Sequence, residues 1–257
     1  MDGADLPCSI SGLRSFHLPG NSVAESDWAD DLSTTLPLTP FGKHMGRSGK
    51  HRLVVGFSGS SGAPLGIEFL RAMQEFPNWE THLILSEGAE RTLELEANSS
   101  LTEVQALATQ CYELHDVAAS ISSGTFKTAG MVVIPCSMKT LAGIAHGFSD
   151  TLLLRAADVT LKERRKLVMV TRETPLSPIH LGNMLALANL GAVIMPPMLS
   201  YYNRPETVED MTRHIVGKVL DCFDLDISGF RRWSGPAASG SDQRQHAEKL
   251  AVDRVEQ

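Results

Sequence analysis

The sequence lacks an excess of positive charge. Lys and Arg number 23 against 30 Asp and Glu, a net charge of -7 over 257 residues. No basic field is therefore present to hold a nucleic-acid backbone or an anionic membrane surface. Cysteine is scarce: Cys8, Cys111, Cys136 and Cys222 stand far apart and form neither a CxxC pair nor a dense framework. That spacing excludes zinc ribbons and secreted disulfide scaffolds and fits a reducing compartment. No apolar run approaches the roughly 20 residues that span a bilayer. The N-terminus also lacks the basic-then-apolar order of a secretory signal, so the cytoplasm is the expected location. The histidines are scattered without an HExxH or similar pair, and no metal site is expected.

What is present is the composition of a globular protein, 42% hydrophobic and 21% charged, with enough length for one large core. Residues 1–50 are rich in Ser, Gly, Pro, Asp and Thr and sustain no apolar period, so they are predicted to be a flexible extension. Asp27, Asp30 and Asp31 make that arm a poor Arg-rich transit peptide. Residues 51–234 are predicted to form the catalytic domain and residues 235–257 a polar tail. In the domain, short apolar runs alternate with helical stretches, the pattern of a single α/β domain with a doubly wound parallel sheet. Strands are predicted at Leu53–Phe57, His82–Leu85, Met131–Ile134, Leu167–Val170 and Ala192–Met195. A helix with Phe69, Leu70, Met73 and Phe76 on its buried face follows the first strand. Ligands in such sheets lie beyond the carboxyl ends of the strands, so the turns there are the places to look for chemistry.

The turn Gly56-Phe57-Ser58-Gly59-Ser60-Ser61-Gly62 lets backbone amides approach an anion or a flavin edge at a helix N-terminus. It is neither the GxGxxG of dinucleotide folds nor a Walker loop, and a tight structural junction is an equal reading. After the third strand, Ser137, Met138, Lys139 and Thr140 form a polar turn in which Ser137 can cap the next helix and Lys139 can be solvated. Cys136 has no histidine near it in sequence and is read as a packed thiol. Arg172 and Glu173 follow the fourth strand directly; such an arginine can bind phosphate and such a carboxyl can carry a proton. The run Lys162-Glu163-Arg164-Arg165 is usually a solvated helix end. A helix from Glu206 to Cys222 is predicted to bury Val208, Met211, Ile215, Val219 and Cys222 and to leave Lys218 facing solvent or ligand. His180 is predicted to be a cap or core residue.

The ordered segments GFSGSSGAPLG, PCSMKTLAGIAHG, RAADVTLKERR, LVMVTRETPLSPIHLGNM and GAVIMPP resemble the UbiX family of flavin prenyltransferases, from about Arg52 to Trp233. The resemblance implies a Rossmann-like or flavodoxin-like fold, FMN bound between subunits, and a homo-dodecamer. It implies joining of a dimethylallyl group from dimethylallyl phosphate to N5 and C6 of reduced FMN, the product, prenylated FMN, serving a UbiD-type decarboxylase. Carried over by motif, Gly59, Ser60, Ser61, Ser86, Ser137, Met138, Lys139, Thr140 and Arg172 would hold FMN. Tyr202 and Lys218 would bind the prenyl phosphate, with Arg155, Lys162 and Glu173 in the same pocket and Trp233 packing over it. Ser61 matches the serine beside N5, and Glu96 an acid near the flavin, with Glu94 the alternative. Ser60 departs from the family, which usually has alanine there.

These residue types suit the implied reaction. Cleaving an allylic C–O bond leaves phosphate and a stabilised carbocation, which asks for cations, a proton donor and an electron-rich wall. Lys162, Arg155 and Tyr202 fit the first need and Glu173 the second; Ser61, with Glu96, fits the handling of the N5 proton. The monophosphate is the expected donor, by resemblance to bacterial relatives. The alternative is a carrier of FMN or prenylated FMN, which would have no use for a second anion pocket. A peptidyl-cysteine decarboxylase relative would carry a histidine near the flavin and a PxMNxxMW-like segment, and neither is evident.

Overall fold

A computed structural model describes residues 49–233 and 235. The predicted extension, but for its last two residues, and the predicted tail, but for Gly235, lie outside the described residues. The first strand, β1 (His51–Phe57), leads into α1 (Ala63–Met73), and β2 (Trp79–Leu85) into α2 (Glu87–Glu96) and α3 (Leu101–Ala106). A short β3 (Gln110–Tyr112) precedes β4 (Gly130–Cys136), α4 (Met138–Ala145) and α5 (Leu152–Lys162). The last described elements are β5 (Lys166–Thr171), α6 (Pro178–Asn189), β6 (Val193–Ile194) and α7 (Val208–Asp221). All neighbouring strands pair in parallel, in the order β3-β2-β1-β4-β5-β6. The predicted doubly wound sheet is thus present.

Strands buried on both faces must be apolar throughout, and alternate side chains then feed two cores. Leu53, Val55 and Phe57 join Leu83, Val132, Ile134 and Val168 in the core under α1 and α7. Val54, Ile84, Met131, Val133 and Met169 point the other way, into the core with Leu141, Leu152 and Leu187 of α4, α5 and α6. Each fully buried side chain of this size stabilises the fold by about 1.5–3 kcal/mol. Gly66 sets how closely α1 lies on the sheet, because a Cβ there would stand 2.4 Å from the Phe57 ring and 2.7 Å from the Ile134 carbonyl oxygen. That close seating brings the start of α1 to the carboxyl ends of β1 and β4.

Three local expectations are corrected. Gln110–Tyr112 forms an edge strand that has no apolar run to announce it. The last strand is only Val193–Ile194. Val208 is 73% exposed, because it opens α7 in the first turn, where the helix has not yet reached its packing surface. His214, Val216, Gly217 and Leu220 widen the buried stripe instead.

Candidate functional site

The strand order reverses between β1 and β4, and in open α/β sheets the crevice for a ligand opens at such a point. The two turns there are stitched together. Ser58 Oγ donates to the Pro135 carbonyl at 2.9 Å and accepts the Ser137 amide at 2.7 Å. Ser137 in turn caps α4 through the Thr140 amide and donates to Thr140 Oγ1 at 3.1 Å. Met138 is half-buried and Lys139 exposed at the head of that helix.

Glu96, at the far end of α2, provides what α1 lacks. Gly62 occupies the N-cap with φ 119° and no side-chain cap, a conformation that favours glycine. The Glu96 carboxylate accepts the Gly62 amide at 2.8 Å and the Ala63 amide at 3.1 Å. The Ser61 side chain and the Arg172 charge also act on this carboxylate. Burial pushes this carboxyl up, but the Gly62, Ser61 and Ala63 donors and the Arg172 charge outweigh it and hold the group below its ordinary value. The anion cradle at the start of α1 is therefore filled by the chain itself. Glu94, the alternative acid, pairs instead with Arg91 at 2.6 Å on an exposed face.

Several observations fit a flat, polar-edged heterocycle at this turn. Gly59 and Gly88 press together so closely that a Cβ on Gly59 would stand 2.7 Å from the Gly88 Cα, keeping the turn low. The Ser60 and Thr171 hydroxyls are buried without a hydrogen-bond partner, and such groups call for one. Ser86 caps α2 through the Ala89 amide at 3.1 Å beside this turn. Arg172 and Glu173 stand exposed just after β5, where Glu173 accepts the Thr174 amide at 3.0 Å. Cys136 is fully buried, which drives its thiol strongly up and leaves no nucleophile there. His180 caps α6, accepting the Ser177 amide at 3.2 Å.

The remaining predicted residues fall elsewhere. Because all strands are parallel, the end of α5 lies at the amino edge of β5, opposite the turn that carries Ser61. There Lys162 pairs with Glu163 at 2.6 Å, and Gly124 lies so close that a Cβ would meet both side chains. Arg155, further back on α5, donates to the Ser122 carbonyl at 3.2 Å and pairs with Asp158 at 2.6 Å. Arg165 is not a solvated helix end: it donates to the carbonyls of Gly124 and Phe126 and to Thr128 Oγ1. Sequence reasoning missed this wall, residues 120–128, whose only signal is a Ser- and Thr-rich run before β4.

Tyr202, Lys218 and Trp233 do come together. Tyr202 lies edge-on to Trp233 with ring centroids 5.7 Å apart, and its hydroxyl is 3.3 Å from His214 Nε2. Lys218, one turn beyond His214 on α7, is 3.4 Å from Asp221. Asp221 also takes Arg232, whose guanidinium lies over the Phe230 ring. Phe230 seats on Gly217, where a Cβ would stand 2.4 Å from its ring. The segment that ends in Trp233 is thereby fastened to α7.

Fold and crevice together define a nucleotide- or flavin-binding protein of the parallel α/β class. The Flavoprotein family matches residues 42–222. A probable UbiX-like flavin prenyltransferase from Escherichia coli is 56% identical over 184 residues, covering 72% of this chain and 93% of that protein. The dodecameric FMN-dependent UbiX-like decarboxylase from Escherichia coli O157:H7 superposes with a TM-score of 0.71 at 56% identity, over 72% of this chain and all of that one. AnUbiX, solved in complex with FMN and dimethylallyl pyrophosphate, gives a TM-score of 0.71 at 50% identity, over 72% of this chain and 98% of that one. The chain belongs to the UbiX-like flavin prenyltransferases of the flavoprotein family.

Proposed function

We propose that this protein joins a dimethylallyl group from dimethylallyl phosphate to N5 and C6 of reduced FMN, making prenylated FMN for a UbiD-type decarboxylase. The observation that carries this reading is the turn bearing Ser61 at the strand-order switch, with the Glu96 carboxylate seated on the Gly62 and Ala63 amides beside it, in a chain of this family. Reduced FMN supplies the nucleophile when bound. The Gly59–Ser61 and Ser137–Thr140 turns would flank its ring system, and Ser86 and Arg172 would take its phosphate. With the amides at the start of α1 already satisfied by Glu96, the first turn meets the flavin edge and leaves the phosphate to those other groups. The Ser61 hydroxyl, next to the Glu96-capped start of α1, would receive a proton at N5 and pass it on.

Around the donor, Arg155, Lys162, Tyr202 and Lys218 offset the charge of the departing phosphate, Glu173 gives it a proton, and Trp233 closes the wall. Lys162 and Ser61 lie toward opposite edges of one sheet, so a single chain cannot bring both to one substrate. The pocket is completed between copies of the chain, as in a homo-dodecamer. Ile179, Leu181, Leu185 and Leu190 leave an exposed apolar stretch along and just past α6, which fits burial against a second copy. Among the described residues no helix is long and apolar enough to cross a membrane, in keeping with activity in the cytoplasm.

The test is anaerobic incubation with reduced FMN and dimethylallyl monophosphate, with the diphosphate in parallel, followed by mass analysis of the flavin. The expected result is a gain of one prenyl unit that is lost in Glu173→Gln. Bound but unmodified FMN with both donors would overturn the enzyme reading and favour a flavin carrier.

A further inference from the structure

Among the buried titratable groups that the mechanism above leaves unused, one lies against its predicted residues. His214 is 8% exposed and lies at the centre of the cluster that carries Tyr202, Lys218 and Trp233. Its Nε2 is 3.3 Å from the Tyr202 hydroxyl, and its Nδ1 is buried with no hydrogen-bond partner. The two rings meet edge to face with centroids 5.7 Å apart, and Phe230 lies 5.3 Å from the imidazole on another side. Tyr202 is thus held between the edge of His214 and that of Trp233.

The orphaned Nδ1 decides the direction of the hydrogen bond. In a neutral imidazole one nitrogen carries the proton and the other a lone pair. A buried N–H without a partner is the rarer and costlier orphan, whereas an unfilled lone pair is better tolerated. The proton therefore belongs on Nε2, where it is donated to the Tyr202 oxygen. The phenol is then left with its own hydrogen free to donate elsewhere. The reverse tautomer would draw the phenol hydrogen onto His214 and turn only a lone pair toward an incoming anion.

We propose that His214 is a positioning residue for the prenyl phosphate: as an Nε2–H donor it fixes the Tyr202 hydroxyl so that the phenol O–H points to a phosphate oxygen. The inference rests on the reading of Tyr202 as a phosphate ligand. Charging the imidazole would create a buried Nδ1–H with no acceptor. Burial and the neighbouring Lys218 hold its basicity down against the opposing Asp221. Asp210, Arg213 and Arg231 line the shallow cleft beside the ring, and the Tyr202 phenol faces Nε2.

The test uses FMN-loaded protein and calorimetric titration with dimethylallyl monophosphate. His214→Phe keeps the ring and removes the donor, and is expected to weaken binding about tenfold, the value of one hydrogen bond. Tyr202→Phe should do the same, and the double variant should bind no more weakly than Tyr202→Phe alone, since both remove one unit. His214→Gln, which can donate again, should recover most of the affinity. Nitrogen-15 NMR of histidine-labelled protein, with His214→Phe to assign the signal, should show the neutral Nε2–H form at neutral pH. Unchanged affinity in His214→Phe, additive losses in the double variant, or an Nδ1–H or charged imidazole would each overturn the proposal. A parent protein that binds the monophosphate yet adds no prenyl mass to FMN overturns the transferase reading alone. Tyr202→Phe binding as tightly as the parent would overturn the phosphate role of Tyr202 and this inference with it.

Discussion

Replacing Glu96 by Ala asks whether one carboxylate both caps α1 and holds Ser61. Since α1 has no cap of its own and Glu96 accepts the Gly62 and Ala63 amides, the substitution leaves both amides to water. Losing a cap costs about 0.5–2 kcal/mol, and losing a negative charge at the positive end of a helix a further ~0.3–1 kcal/mol at an exposed site. In a domain of this size about 1 kcal/mol lowers Tm by roughly 2–4 °C. Glu96→Ala is therefore expected to melt roughly 2–12 °C below the parent near neutral pH, with Glu96→Gln between them because it keeps an acceptor oxygen. The dependence on pH follows from the sign of the shift. A carboxyl held below its ordinary value contributes stability that is fully present above its unfolded value, about 4.3. That contribution is lost as pH falls through the folded value. The melting gap should thus close in acid. Scanning calorimetry of ligand-free protein over a pH series measures it. An unchanged Tm at neutral pH, or a gap that persists undiminished far into acid, refutes the capping role.

Two further substitutions test the walls of the site. Gly59→Ala places a Cβ 2.7 Å from the Gly88 backbone; the turn must rise, and FMN affinity measured by flavin fluorescence should fall at least tenfold while stability drops by about 1–3 kcal/mol. Arg165→Met removes donors to Gly124, Phe126 and Thr128, at about 1–3 kcal/mol for each acceptor left buried. It should expose the segment to chymotrypsin at Phe126, and an uncut Phe126 would contradict its being pinned from the connection between α5 and β5.

The parts of the fold legible in the sequence are those where both faces of the sheet impose the same demand. β1, β2, β4 and β5 are flanked by helices on either side, so Leu53–Val55, Leu83–Leu85, Met131–Ile134 and Leu167–Val170 are apolar without alternation and stand out. β3 lies at the edge, where Gln110, Cys111 and Tyr112 are at most half-buried, and three such residues leave no trace above the background. Val208 fits the helical period of α7 but lies beyond the surface the helix packs on. A period fixes direction around an axis, not where along it the neighbour ends.

The site divides along the same line. Gly59, Ser61 and Ser137 are legible as residues of strand-to-helix turns, because such turns demand particular backbone conformations and those demands are written locally. Glu96 has no local reason to be where it is: an acid in the last turn of α2 is unfavourable to its own helix dipole. Only resemblance singled it out, and its physical account is the vacant N-cap of α1, thirty-four positions away. The wall at residues 120–128 was hidden for the same reason, since Arg155 and Arg165 hold it from a later helix and its end. His214 is the strongest case. Its packing reads as part of an apolar stripe, and only the unpaired Nδ1 and the facing phenol separate a filler of the core from a donor that aims Tyr202.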